Sequence, residues 1–336
     1  MPLPKRVYIS DCEGPISKND NAFELTSAHI PNGDKLFKVL SKYDDVQADV
    51  VRRPDYNAGD TLKLVLPFFK AFGMTEQKMR DFSAEGILLV RDAKDTIKKI
   101  RNVMPTFIVS TSYQQYISAL CDTIDFPIVN TYSTSVKIDD YGITPGEKTR
   151  LQQLAKEISQ MPIMDIPQSN RLDDFSETDR RNVKRLDDVI WEEIYKMEIG
   201  RTLREVKPVG GHEKAKAVKD IIKRLDTSLS DVMYVGDSIT DEEAFKLVKE
   251  GGGLAVSFNG NSYAVNAAEI GVMSPSVSPM LNVAHRFRYD GKESVKDYVN
   301  AWASMQVLTD ANRERFSKDS STFRKTVRGE AIGKLG

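Results

Sequence analysis

Asp11 and Glu13 stand two residues apart directly after the apolar run Val7–Ser10, and Gly14-Pro15 then breaks the element. The run reads as a short β-strand closed by a turn. Parallel α/β sheets bind ligands just beyond the carboxyl ends of their strands, so two carboxylates here stand where such sheets do chemistry. Taken alone, the same pattern is also that of an acidic turn after a strand. Three further groups bear on the choice. Ser110-Thr111-Ser112 follows the apolar run Thr106–Val109 and precedes a helical pattern through Tyr113, Tyr116, Ile117 and Leu120. Hydroxyls at such a junction serve as helix N-caps; the free backbone N–H groups and positive dipole end found there also suit a phosphate. Lys214 follows Gly210-Gly211 at the start of a helix and is one of several lysines in it. Asp237 and Asp241 follow the buried-type strand Val232–Gly236 and read either as helix capping or as a second acidic pair.

The elements that must position these groups follow from apolar spacing. Strands are expected at Val7–Ser10, Thr106–Val109, Phe126–Asn130, Ser135–Asp139, Val232–Gly236, Leu254–Phe258 and Gly271–Ser274. From Phe23 to Asn102 the pattern is helical, with Leu36, Val39 and Leu40 in one run and Leu62, Leu66 and Phe69 in the next. Asp92–Val103 is a further helix, with Ala93, Ile97 and Ile100 on one face and Pro105 beyond its end. So long a helical block between the first two strands is explained better by an inserted helical cap than by a crossover. Pro145–Glu205 is helical and heavily charged, a second insertion. The helix after Gly211 is expected to turn Ala215, Val218, Ile222 and Leu225 inward, and the next to bury Phe245 and Val248 before Gly251-Gly252-Gly253. Residues 286–336 read as a polar helical tail with a basic end at Arg324, Lys325 and Arg328. No internal repeat or low-complexity tract is present.

Composition sets the outer limits. With 336 residues, 40% hydrophobic and 29% charged, the chain suits a soluble globular protein of about two domains. The net charge of −1 carries no basic excess for nucleic acid. Cys12 and Cys121 are too few for a disulfide framework, which points to a reducing, cytoplasmic setting. The apolar stretch after Lys5 and Arg6 is too short for a signal peptide or a membrane span, so no membrane insertion is expected. The three histidines have no zinc-type spacing, and there is no cysteine cluster for iron–sulfur or nickel.

The ordered set of Asp11 with Glu13, Ser110, Lys214, and Asp237 with Asp241 resembles the haloacid dehalogenase superfamily of phosphatases and phosphotransferases. Ile108-Val109-Ser110 and the lysine-to-acid spacing look most like its phosphoserine phosphatase group, over about residues 5–22, 100–140 and 206–275. The whole chain also resembles a narrower archaeal family with Asp-x-Glu-Gly-Pro, Ser-Thr-Ser-Tyr, Gly-Asp-Ser-Ile-x-Asp and Phe-Asn-Gly-Asn, labelled as subunit R of energy-converting hydrogenase A. The resemblance implies an α/β fold: a Rossmann-like core with a parallel sheet, a helical cap between the first and second motifs, and a second helical insertion. The expected spans are 1–22 (core, first strand), 23–99 (cap), 100–140 (core), 141–205 (insertion), 206–285 (core) and 286–336 (helical tail).

It also implies roles. Asp11 would attack phosphorus and form an aspartyl phosphate. Glu13, where Asp is commoner, would protonate the leaving oxygen and then activate water. Ser110 and nearby N–H groups would hold phosphoryl oxygens, with Thr111 and Asn259 counted among the substrate-binding residues, and Lys214 would offset charge. Asp11, Asp237 and the Glu13 carbonyl would bind Mg²⁺, with Asp241 ligating it or orienting water. Thr240 stands where many relatives have Asn. Arg52 and Arg53 read either as surface charge or as a fork for a substrate carboxylate or second phosphate. The reading is an Mg²⁺-dependent phosphohydrolase for a small phosphorylated metabolite. The alternatives are a phosphotransferase using the same intermediate and a non-catalytic accessory subunit partnering other hydrogenase subunits.

Overall fold

The computed structural model describes residues 5–333 and Leu335; residues 1–4, 334 and 336, at the ends of the first and last expected spans, lie outside the described residues. Its centre is a seven-stranded sheet of β1 (Val7–Ser10), β2 (Thr106–Tyr113), β3 (Thr131–Thr134), β4 (Val232–Gly236), β5 (Leu254–Phe258), β6 (Ile270–Val272) and β7 (Met305–Val307). The order is β3-β2-β1-β4-β5-β6-β7; all neighbours pair parallel except β6 with β7, which are antiparallel. Side chains alternate along each strand. Val7, Ile9, Phe107, Val109, Val232 and Tyr234 enter one apolar layer, while Tyr8, Ile108, Met233 and Val235 enter the other. Helices cover both faces, which is why these strands are apolar on both sides.

Most of the expected strands form, and the differences have local causes. Phe126–Asn130 is not a strand: Ile128–Asn130 is a 3₁₀ turn after Pro127, and the strand begins at Thr131. Ser135–Asp139 is not a strand either; Ile138–Asp140 forms another 3₁₀ turn. β2 runs on through Ser110, Thr111 and Ser112, so these hydroxyls lie within the strand and do not cap the helix Gln114–Ile124. β7 lies in the segment read as helical; a three-residue edge strand, Met-Gln-Val, carries too little alternation to stand out. The helix His212–Leu225 buries Lys214, Ala217, Val218 and Ile221, a face turned by one residue from the expected one because a lysine is drawn inward.

Two helical segments lie outside the sheet layers. The first includes the helices Gly33–Asp45 and Thr61–Ala71; the second includes Pro145–Ser159 and Glu177–Asp187. Pro145–Ser159 starts with a capping box between Thr144 and Glu147 and a proline in its first turn, which satisfies its free N–H groups locally. Both segments share one apolar cluster, in which Leu36, Phe68 and Phe69 join Leu151, Leu154, Leu186 and Ile190. The helix Ala93–Val103 packs instead with the sheet, through Ala93, Ile97 and Ile100.

Candidate active site

β1 delivers Asp11 to the sheet's carboxyl edge, beside β4, whose end delivers Asp237; the Asp11 N–H donates to Val235 O at 2.8 Å. Two glycines make the crowding possible. Gly14 has φ +110°, and a Cβ there would lie 2.2 Å from Asp237 Oδ2. A Cβ on Gly236 would lie 2.3 Å from the Asp241 carboxyl carbon. The result is a group of three buried carboxylates, Asp11, Asp237 and Asp241, with one oxygen of each within 4.8 Å of the others.

Lys214 lies behind this group with no solvent exposure. Its Nζ donates to Asp11 Oδ2 and to Asp241 Oδ1, each at 2.7 Å. Burial works against its ammonium, but Asp11 and Asp241 outweigh burial and hold its pKa above the usual lysine value. Asp241 is fully engaged: Tyr234 OH also donates to Oδ1, and the N–H groups of Asp237 and Ser238 donate to Oδ2. It orients both the lysine and the loop that carries Asp237. Asp11 Oδ1 accepts the Cys12 N–H at 2.6 Å. Burial pushes the Asp11 carboxyl up to about 6, with Lys214 opposing it.

A small cavity of about 100 Å³ opens in front of these residues, lined by Asp11, Glu13, Ser110, Thr111, Asp237 and Thr240 from the sheet's edge. Glu13 Oε1 accepts the Asn21 N–H at 2.7 Å. Burial, with Asp20 adding to it, pushes the Glu13 carboxyl up to about 8. Ser110 Oγ donates to Ser112 Oγ at 3.0 Å, and Thr111 Oγ1 donates to Val209 O. The opposite wall comes from the first helical segment, through Phe37, Ser41, Asp44, Asp45, Thr61 and Leu62. That wall carries carboxylates and hydroxyls and no basic side chain.

The structure brings Asp11, Glu13, Ser110, Thr111, Lys214, Asp237 and Asp241 together; Asn259, Arg52 and Arg53 are elsewhere. Asn259 is buried, and its amide both donates to Ser274 O and accepts the Ser274 N–H, so it ties two loops together. Arg52 and Arg53 line a separate open groove. The Arg53 guanidinium lies 4.5 Å over the Trp191 ring, and its Nη2 is 3.3 Å from Asp187 Oδ1, so it joins the first helical segment to the second. Arg52 is exposed and, among the described residues, bonds locally, to Asp49 O. Arg53→Ala is therefore expected to cost about 1–2 kcal/mol of stability in denaturant unfolding, with Arg52→Ala within about 0.5 kcal/mol of the native chain. Neither change should alter KM for one phosphate ester more than for another, and a selective rise in KM would restore these arginines to substrate recognition.

The residues missed by sequence reasoning come from the far end of the chain. Arg324 and Arg328, on the helix Arg313–Arg328, both contact Asp237 Oδ2, the Arg328 Nη1 at 3.2 Å, and both line the cavity. Burial pushes the Arg324 guanidinium well below its usual value, with Arg328 acting in the same direction. The only available signal was their spacing of four, which puts both on one helix face but does not distinguish that face from a solvated one.

An oxygen-only donor set suits a hard cation such as Mg²⁺. The residues here fit one: Asp11, Glu13, Asp20, Asp237 and Asp241 bring more acid to the site than Lys214, Arg324 and Arg328 offset.

Comparison with known proteins gives three findings. A solved structure of gene product AF1437 from Archaeoglobus fulgidus overlays with a TM-score of 0.86 and 27% identity, covering 99% of both chains. A curated protein of Arabidopsis thaliana, described as a probable trehalose-phosphate phosphatase H, is 24% identical over 192 residues, 48% of this chain and 54% of that protein. The chain thus spans about half the length of the curated relative it matches. The family model for trehalose-phosphatase matches residues 173–272. That stretch carries Lys214, Asp237 and Asp241 through β4 to β6, and the order of acid, serine, lysine and acid pair along a parallel sheet is similar to that of the haloacid dehalogenase superfamily.

Proposed function

We propose that this chain is an Mg²⁺-dependent phosphohydrolase that works through an aspartyl phosphate on Asp11. The observation that carries this reading is the buried Lys214 held 2.7 Å from both Asp11 and Asp241, with Asp237 and Glu13 at the same cavity. So dense a set of buried charges is costly to maintain for packing alone. In the first step an Asp11 carboxylate oxygen bonds to phosphorus as the bond from phosphorus to the ester oxygen breaks. Glu13, kept protonated near neutrality by its raised pKa, gives its proton to that leaving oxygen. In the second step Glu13 takes a proton from water, the water oxygen bonds to phosphorus, and Asp11 is released with inorganic phosphate. Ser110 and Thr111 line the cavity where phosphoryl oxygens would be held, and Lys214 keeps Asp11 ionised. A divalent cation would be held by Asp11 and Asp237, with Asp241 orienting the loop, and would supply charge neutralisation between nucleophile and phosphate.

The substrate in this reading is a small phosphorylated metabolite, because a helical segment forms the opposite wall of the site, and a wall that closes over a site excludes macromolecules. The relatives' names make trehalose phosphate one ester to include. An acceptor alcohol in place of water would make the same chemistry a phosphotransfer. A non-catalytic role beside hydrogenase subunits, implied by the narrower resemblance, is disfavoured by the complete acid and lysine set. Two free, buried cysteines fit a reducing compartment such as the cytoplasm, and among the described residues no helix is long and apolar enough to cross a membrane.

The test is phosphate release from a panel of sugar and amino-acid phosphates, with Mg²⁺ and after its removal by EDTA. Turnover of at least one ester, lost with EDTA and regained with Mg²⁺, is expected. Beryllofluoride with Mg²⁺ should also raise Tm, since a ligand at about 100 times its Kd stabilises the native state by about 2.7 kcal/mol. No release from any ester, with Tm unmoved by beryllofluoride, would overturn the reading in favour of the accessory subunit.

A further inference from the structure

The helix Arg313–Arg328 is rooted on the sheet and ends on the catalytic edge. At its root the Phe316 ring lies against Gly271, Arg313 Nη1 donates to Ala268 O at 3.1 Å, and Ser320 Oγ donates to Gly260 O at 2.7 Å. At its tip Arg324, only 3% exposed, and Arg328 converge on one oxygen of Asp237, itself 1% exposed. Arg328 also donates to the carbonyls of Lys18 and Asn19 in the loop after β1. The chain then crosses to the helical layer, where Ile332 and Leu335 pack against its apolar cluster. Leu335 closes one wall of the cavity beside the two arginines.

We propose that residues 324–333, with Leu335, form a strap whose two arginines hold the Asp237 carboxylate in place of a divalent cation, so that strap docking and metal loading at Asp237 oppose each other. The inference rests on the reading of Asp237 as a metal ligand. A guanidinium at hydrogen-bond distance from Asp237 Oδ2 occupies the direction from which a cation would approach that oxygen, and two arginines there repel it. The low-dielectric surroundings strengthen that repulsion, since Asp237 and Arg324 are both buried. The docked strap is imperfectly satisfied: Arg324 Nε is buried without a partner. It also leaves a cavity of about 100 Å³, while pockets for small organic ligands run to about 300 Å³ and more. Strap release therefore frees the metal ligand and removes part of the wall that keeps the cavity small. Because the coupling is reciprocal, metal binding must loosen the strap by the same factor that the strap weakens metal binding.

The experiment is calorimetric titration of MgCl₂ into the native chain, Arg324→Gln, Arg328→Gln and Asp237→Asn, with hydrogen–deuterium exchange over residues 321–333. Both arginine variants are expected to bind Mg²⁺ about ten-fold tighter or more, and Mg²⁺ should speed exchange of the 321–333 backbone in the native chain. If the buried Arg324→Gln does not fold, Arg328→Gln and the exchange measurement carry the test. Mg²⁺ binding that Asp237→Asn abolishes but that the arginine variants leave unchanged or weaken, with exchange unaltered, overturns the strap and keeps the metal reading. Absence of Mg²⁺ binding in every form overturns both.

Discussion

Asp11→Asn is expected to lower kcat for any phosphate ester the chain turns over by about 10⁴-fold or more, the scale of loss when a covalent nucleophile is removed. The amide is isosteric and keeps an oxygen for the Cys12 N–H, but it has no carboxylate to attack phosphorus and gives Lys214 one charge fewer to face. The loss should fall on kcat, because the hydroxyls and backbone groups around Ser110 and Thr111 that line the cavity are untouched. Single-turnover phosphate release separates the two quantities. A variant that retains near-native turnover would rule out an aspartyl phosphate on Asp11, whatever else the site binds.

The second large effect is on stability. Lys214→Met would leave Asp11 and Asp241 buried around an apolar side chain, with their shared cation gone. Breaking a buried pair by removing one partner costs about 3–5 kcal/mol, because an uncompensated charge remains. Asp241 keeps three donors, from Tyr234 OH and two backbone N–H groups, so the greater burden falls on Asp11, which keeps one. Its carboxyl pKa, already raised to about 6 with Lys214 present, should rise further without it. The sign follows: a carboxyl with a folded pKa above its unfolded one makes the native state gain protons, so the variant is penalised most above that raised pKa and recovers stability as pH falls through it. Urea unfolding at two pH values measures this. A loss below about 1 kcal/mol at neutral pH would mean that the triad is solvated and that the burial argument fails.

The sequence by itself determined the elements that depend on neighbours along the chain. The apolar runs of β1, β4 and β5 each end in Gly, acid or amide residues, and a strand exposes its carboxyl end to whatever follows it, so Asp11, Glu13 and Asp237 could be placed at the sheet's edge from local pattern alone. The helices with periodic apolar faces, such as Gly33–Asp45, were legible for the same reason. What required distant contacts was not legible. The face of His212–Leu225 is turned by one residue because Lys214, outwardly a surface residue, is held inside by two carboxylates 203 and 27 residues away along the chain. Arg53 could read as a substrate fork until Trp191 and Asp187, from the second insertion, were found to hold it. Arg324 and Arg328 sit in a polar, charge-rich helix whose sequence matches any solvated tail; only the packing of Phe316 and Ser320 on the sheet aims that helix at Asp237. A charge's function is set by which opposite charge shares its low-dielectric surroundings, and that pairing is a property of the tertiary structure, not of spacing along the chain.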